Sequence, residues 1–260
     1  MKGSAMMAKI LVCYKWVRDE ADVKVNDDLS VDLSRAKYKI SDYDKNTIET
    51  GSQLAKSMGA ESVGVSCGGA ETKKSFTDAL ARGLDSGVWI NTDESEADAV
   101  ETARLLAEAV RKCDDVKVVL CSEGSSDEYA RQTGPRLGAK LDWPVVTGVI
   151  GVSLDGDSLL VDRKLEKVTQ VLRVSMPCVL AVLPEIAPAP IPGLRAVMAA
   201  RKKPVVEFKP EELGIKMDSP VTRNGMRGYI SERKNIILTG DTSEETIKSL
   251  VAAMKKEAVI

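Results

Sequence analysis

The chain has 260 residues, of which 43% are hydrophobic, with 37 basic against 39 acidic side chains, a formal net charge of −2, and no histidine. A chain of this length and apolar content buries a substantial core, as one large α/β domain with or without an extension. Without imidazole there is no Ser-His-Asp or Cys-His nucleophilic pair and no histidine-ligated metal, and the balanced charge gives no overall pull toward nucleic acid or an anionic membrane.

Residues 1–7, Met-Lys-Gly-Ser-Ala-Met-Met, read as an expression scar and start, and are set aside. From Ala8 onward, short apolar runs alternate with helical patterns. The nearly continuous, β-branched runs at 10–13, 62–66, 86–90 and 116–120 predict buried strands. Helices are predicted over 44–58 (Ile48, Leu54, Ala55 and Met58 near one face), over 72–82 (Phe76, Ala79, Leu80) and over 97–112 (Val100, Ala103, Leu106, Ala107, Val110). This alternation implies a parallel sheet covered on both faces. Alternation over 22–32 around Asn26-Asp-Asp28 predicts a hairpin inserted after the first strand. A second hairpin flanks Leu154-Asp-Gly-Asp157, with the β pattern continuing over 168–174 and a last core strand ending at Val182. Antiparallel strands therefore extend the parallel core.

Four prolines between Pro184 and Gly193 exclude both a helix and a central strand, so an extended loop is expected before a short basic helix over 194–203. Beyond Pro204 the chain is rich in charge, glycine and proline until one terminal amphipathic helix over 244–256, with Ile247, Leu250, Val251 and Met254 on a face. The expected organisation is a nucleotide-binding α/β domain at 8–208, which includes the loop 184–203, and a docking arm at 209–260.

Cys13, Cys67, Cys113, Cys121 and Cys178 are odd in number, widely spaced and contain no CxxC pair, the usage of reduced thiols in an intracellular protein. No apolar run approaches the ~20 residues of a membrane span, so a cytoplasmic protein without membrane insertion is expected. Two strand-to-helix loops carry candidate chemistry. Ser66-Cys-Gly-Gly69 before Thr72 suits backbone approach to a phosphate or serves only as a turn, and it is not a Walker A loop. In the loop from Cys121 to Gly134, Ser125, Ser126 and Asp127 either cap the next helix or help hold a phosphate at the carboxyl edge of the sheet. Cys67 and Cys121 read as structural, since neither has a histidine or lysine beside it in sequence. Leu194, between Gly193 and Arg195 and followed by Arg201, Lys202 and Lys203, reads as an apolar anchor beside a basic patch.

Several segments in order resemble the beta subunit of electron-transfer flavoproteins. Residues 8–17 (AKILVCYKWV) resemble the family's opening strand, and Ser41-Asp-Tyr-Asp-Lys-Asn-Thr-Ile-Glu49 resembles its Asn-Pro-Tyr-Asp-x-x-Ala-Ile-Glu helix start. Val65-Ser-Cys-Gly-Gly69 with Thr77-Asp-Ala-Leu-Ala-Arg-Gly83 forms another block. Asp127 with Gln132-Thr-Gly-Pro135 and Leu141-Asp-Trp-Pro144 forms the most specific one. Residues 161–177 resemble the family signature, with Lys167-Val168 replacing an acidic/glycine pair, and 194–203 fall where the family carries its partner-recognition loop.

The resemblance implies a Rossmann-like, adenine-nucleotide α-hydrolase-like sheet in a heterodimer whose alpha subunit holds most of the site for the electron-carrying FAD. It implies that this chain binds either AMP or, in bifurcating members, a second FAD that takes hydride from NADH. Carried over residue by residue, Ala8, Lys15, Asp44, Cys67, Gly68, Gly124, Ser126, Asp127, Arg131, Gln132 and Thr133 would surround that nucleotide, with no catalytic side chain and no metal. Leu194 and Arg195 would meet a dehydrogenase partner, and the arm would pack on the alpha subunit. A universal-stress-type nucleotide-binding regulator is the alternative, since it shares the sheet and the βα turns. ATP pyrophosphatases are disfavoured by the lack of an SGGxDS loop.

Overall fold

In the computed structural model, residues 7–93, 97–218, 221, 224–229 and 233–260 are described; most of the N-terminal scar reading therefore lies outside the described residues. In chain order, the core begins with β1 (Lys9–Cys13) and continues with the short strands β2 (Trp16–Arg18), β3 (Lys24–Val25), β4 (Val31–Asp32) and β5 (Tyr38–Ile40). Then come α1 (Asp42–Met58), β6 (Glu61–Cys67), α2 (Ala70–Ala81), β7 (Ser86–Ile90), α3 (Ala99–Lys112), β8 (Val116–Ser122) and α4 (Thr133–Leu141). The antiparallel additions and the last core strand are β9 (Val145–Asp155), β10 (Ser158–Lys164), β11 (Thr169–Ser175) and β12 (Cys178–Val182). They are followed by α5 (Leu194–Ala200), β13 (Val205–Phe208) and α6 (Ser243–Lys256).

Nine strands form one sheet in the order β11-β10-β9-β12-β8-β1-β6-β7-β13. From β9 to β13 neighbours run parallel, while β10 and β11 add antiparallel to β9. The fold is thus the expected mixed, Rossmann-like α/β sheet. Successive strand residues supply opposite faces. Ile10, Val12 and Tyr14 pack with Ile48, Leu54, Phe76 and Leu80 of α1 and α2, whereas Leu11 and Cys13 pack with Leu105, Leu106 and Leu137 of α3 and α4. Burial on both faces explains the unbroken apolar runs of the central strands.

Local chemistry sets the helix boundaries. Asp98 accepts hydrogen bonds from the amides of Val100 and Glu101 and starts α3. Gly59, at φ +60°, ends α1 in the left-handed conformation that glycine adopts without a Cβ penalty. Three expectations are corrected. Ser125, Ser126 and Asp127 do not cap α4, which begins six residues beyond Asp127 with Gln132 before its first turn. The basic helix α5 stops at Ala200, and Arg201–Lys203 form a turn ahead of Pro204. The segment after Pro204, expected to be irregular, contains β13 on the free edge beside β7, with its first three residues exposed.

Chain connectivity places a reversal at the centre of the sheet. The chain leaves β1 and returns through α1 to β6 on one side; after β7 it crosses back through α3 to β8 on the other side of β1. The loops after β1 and β8 therefore diverge at their carboxyl ends, the position where open α/β sheets take ligands.

The chain divides into two compact units. One holds residues 1–24 and 32–225; the other holds 25–31 and 226–260. In the second unit the tip of the expected hairpin bridges to Arg227 through Ser30, and α6 is capped by Thr242, whose hydroxyl accepts from the Glu245 amide. Among the described residues no helix is long and apolar enough to cross a membrane.

Candidate functional site

The divergence between β1 and β8 is closed by short, directed contacts. Asp44, in the first turn of α1 and only 4% exposed, accepts the Lys15 amide on Oδ2 at 2.7 Å, and Ser122 at the end of β8 donates its hydroxyl to Oδ1. Thr47, one helical turn on, shares a 2.7 Å hydroxyl contact with the same Ser122. Ser41, immediately before α1, accepts the Ser126 amide on its hydroxyl at 3.1 Å. One carboxylate and three hydroxyls thus bind the ends of β1 and β8 to the start of α1.

Lys15 reaches across this junction, with Nζ 2.6 Å from Asp127 Oδ2 and 3.5 Å from Glu128 Oε2. Burial raises the Asp127 carboxyl, but the hydrogen bond and charge of Lys15 outweigh it and hold the group below its ordinary value. Asp44 responds in the opposite direction. Burial pushes it up to about 7, because the hydrogen bonds from Ser122 and the Lys15 amide and the Lys15 charge only partly offset the loss of water.

On the β6 side, the Ser66 hydroxyl donates to Tyr14 O at 2.8 Å, which holds the Cys67-Gly68 turn next to Lys15. Gly68 has φ +146°, a conformation side chains rarely adopt, and its carbonyl accepts Trp89 Nε1 at 2.8 Å. Desolvation pushes the Cys67 thiol up to about 12; a hydrogen bond that the Cys121 thiol donates to Cys13, together with burial, holds Cys121 well above its ordinary value. Neither sulfur is a ready thiolate nucleophile, in keeping with a structural role.

The structure gathers Lys15, Asp44, Cys67, Gly68, Gly124, Ser126 and Asp127 at one carboxyl edge. Arg131, Gln132 and Thr133 follow at the start of α4, with Gln132 Oε1 accepting Arg136 Nε at 2.8 Å. Ala8 is not among them. It precedes β1 at the amino edge, where its carbonyl accepts the Glu61 amide, and the register Lys9↔Glu61 to Cys13↔Val65 separates it from the other residues by the full length of the strand. Cys13 occupies the carboxyl end that Ala8 was expected to approach. Ser122, Thr47 and the ring pair Tyr43–Tyr129 (centroids 5.2 Å apart) were not singled out in the sequence. Only the spacing of Thr47 three residues after Asp44, on one helix face, marked any of them.

The donor set suits an oxygen-rich ligand. Ser126 Oγ is buried without a hydrogen-bond partner among the described residues, and α2 starts after Gly69, a residue with no side chain to cap it.

A second surface lies on the same unit. Leu194, the first residue of α5, is 79% exposed, with Ile191 and Met198 exposed beside it and Arg195, Arg201 and Lys202 around them. The proline loop offers carbonyls but few N–H donors of its own, and neighbouring side chains serve those carbonyls: Asn46 Nδ2 donates to Ala187 O at 2.6 Å and Arg82 Nη1 to Pro190 O at 3.2 Å. Lys203 turns inward and donates to the Leu80 and Leu84 carbonyls at the end of α2, which removes it from the expected basic patch.

Sheet order, reversal point and edge loops define an open-sheet, Rossmann-like α/β protein. The electron transfer flavoprotein domain matches residues 28–213, well over half of the chain, and the protein belongs to that family. Members of this family bind flavin, and the match gives no support to the universal-stress alternative.

Proposed function

We propose that this chain is the beta subunit of a heterodimeric electron-transfer flavoprotein, passing electrons between a dehydrogenase and an acceptor. The observation that carries the reading is the reversal point, where Lys15, Asp44, Ser122 and Ser126 join three loops around an unpartnered buried hydroxyl. There the chain binds an adenine nucleotide, either AMP or a second FAD. Lys15 balances phosphate charge, the Cys67-Gly68 turn admits close backbone approach, and Ser126 donates its free hydroxyl. Bound flavin, chiefly an FAD shared with the alpha subunit, supplies the redox chemistry, and the protein supplies orientation and electrostatics. With two FAD, the complex would also oxidise NADH and bifurcate its electrons.

Leu194 enters an apolar pocket of the partner dehydrogenase while Arg195, Arg201 and Lys202 steer its acidic rim. The nucleotide reading is tested by purifying the chain with its second subunit, denaturing the complex and counting released flavin and AMP per heterodimer. One FAD with one AMP identifies simple transfer, and two FAD identify a bifurcating site. A colourless chain that copurifies alone, without nucleotide, sinks the proposal. Leu194→Ala should retain the nucleotide yet slow electron transfer from the dehydrogenase; unchanged transfer would remove the anchor role.

A further inference from the structure

Two aromatic rings meet over the cleft from opposite walls. Tyr43 belongs to the first turn of α1, and Tyr129 belongs to the loop after β8; their centroids are 5.2 Å apart at an interplanar angle of 41°. The Arg131 guanidinium lies 4.7 Å from the Tyr129 centroid, so the phenol is flanked by a ring and a cation. The Tyr129 ring also lies directly over Gly124, where a Cβ would meet it at 2.4 Å. This contact explains glycine at 124: it makes room for the ring.

The loop that carries the ring is held under local strain. Tyr129 has φ +46° and Arg131 φ +58°, both in the left-handed region that non-glycine residues rarely enter. Three cross-wall contacts hold this loop: the ring pair, the ion pair of Lys15 with Asp127 and Glu128, and the Ser126 amide donated to the Ser41 hydroxyl. An arriving phosphate competes with the carboxylates for Lys15, and the Ser41 contact anchors the loop only at Ser126, so the ring pair is the contact that holds Tyr129 itself against α1.

We propose that the Tyr129 ring, seated against Tyr43 and Gly124, is the gate that controls entry and release of an adenine nucleotide at the reversal point. The proposal rests on the reading of that cleft as a nucleotide site. Opening turns the phenol away from Tyr43 and lets the strained Tyr129–Arg131 backbone relax; closing restores both ring contacts over the ligand. A gate of this kind slows association and release together, whereas a residue that only contacts the ligand changes release alone.

The test measures association and release rates of FAD and of AMP on the full chain, free and with its partner subunit. Tyr129→Ala keeps an L-residue at φ +46° but removes the ring, and should raise both rates about tenfold with the dissociation constant nearly unchanged, as expected for loss of one ring pair. Tyr129→Phe should retain wild-type rates. Tyr43→Leu, which removes the opposing ring from a helix, should reproduce the acceleration and carries the test if Tyr129→Ala fails to fold. An unchanged association rate in both ring-deletion variants overturns the gate even if release changes. Failure of the wild-type chain to bind either nucleotide would instead overturn the underlying site, a distinct result.

Discussion

Asp44 concentrates the electrostatics of the cleft in one side chain. It is buried, it accepts the Lys15 amide and the Ser122 hydroxyl, and burial pushes its carboxyl up to about 7 from an ordinary value of 3.8. Between those values the folded protein keeps a proton that the unfolded chain releases. Stability contributed by this group therefore falls as pH rises from about 4 to about 7 and stays level above that. The side-chain amide introduced by Asp44→Asn would resemble the protonated carboxyl in shape and hydrogen bonding without titrating. The melting temperature of Asp44→Asn minus that of the wild type should accordingly increase from about pH 5 to about pH 7 and then plateau. A difference that does not vary with pH would show that the carboxyl is not held protonated by its surroundings. Lys15 offers a contrasting case: its ion pair with Asp127 is half-exposed, so Asp127→Asn should cost little stability, about 0–1 kcal/mol by thermal or denaturant unfolding.

At the level of elements, the position of α1 against β1 decides whether the cleft exists. Gly51 makes the close approach possible, since a Cβ there would lie 2.2 Å from Val12 Cγ2. Gly51→Ala should force the helix outward at a cost of about 1–3 kcal/mol in denaturant unfolding and weaken nucleotide retention, because Ser41, Asp44 and Thr47 move with it. Retention of wild-type stability would mean that α1 and β1 accommodate the methyl group without separating. The sequence reveals the central strands and the three long helices that flank them because their apolar faces are wide and continuous. It conceals β2, β5 and β13, where three or four residues pair at edges and carry too little periodicity to distinguish them from loop. Site residues divide in the same way. Glycine turns and the Asp127 loop announce themselves by composition, but Ser122 and Thr47 are ordinary hydroxyl residues until the end of β8 is brought beside the first turns of α1. Ala8 shows the converse: it precedes the strand predicted at 10–13, so the rule that open α/β sheets take ligands at their carboxyl ends already put it away from the site. The capping role expected of Ser125–Asp127 fails for a related reason: five residues, with Tyr129 and Arg131 in left-handed conformations, separate that turn from α4.

At the scale of the whole molecule, the chain forms two units of unequal character. The sheet unit buries its own core on both faces, whereas the second unit contains α6, on which Ile247, Leu250 and Val251 remain exposed although they share one helical face. A 14-residue helix with an uncovered apolar face gains most of its stability only when that face is packed against another surface. The docking arm expected from residue 209 begins later, because residues 209–225 belong to the sheet unit and Leu213 and Ile215 are buried in its core. We therefore propose that residues 226–260 contact the alpha subunit, while the proposed nucleotide cleft and the Leu194 surface lie on the sheet unit. Ending the chain at Gly225 should leave the melting temperature of the sheet unit within a few degrees of that of the full chain, because the central strands and α1 to α5 all precede the cut. The same truncation should abolish copurification of the alpha subunit and the flavin shared with it. Copurification in unchanged ratio would place the intersubunit contact on the sheet instead, while collapse of the truncated chain would show that residues 226–260 stabilise the sheet rather than serve a partner.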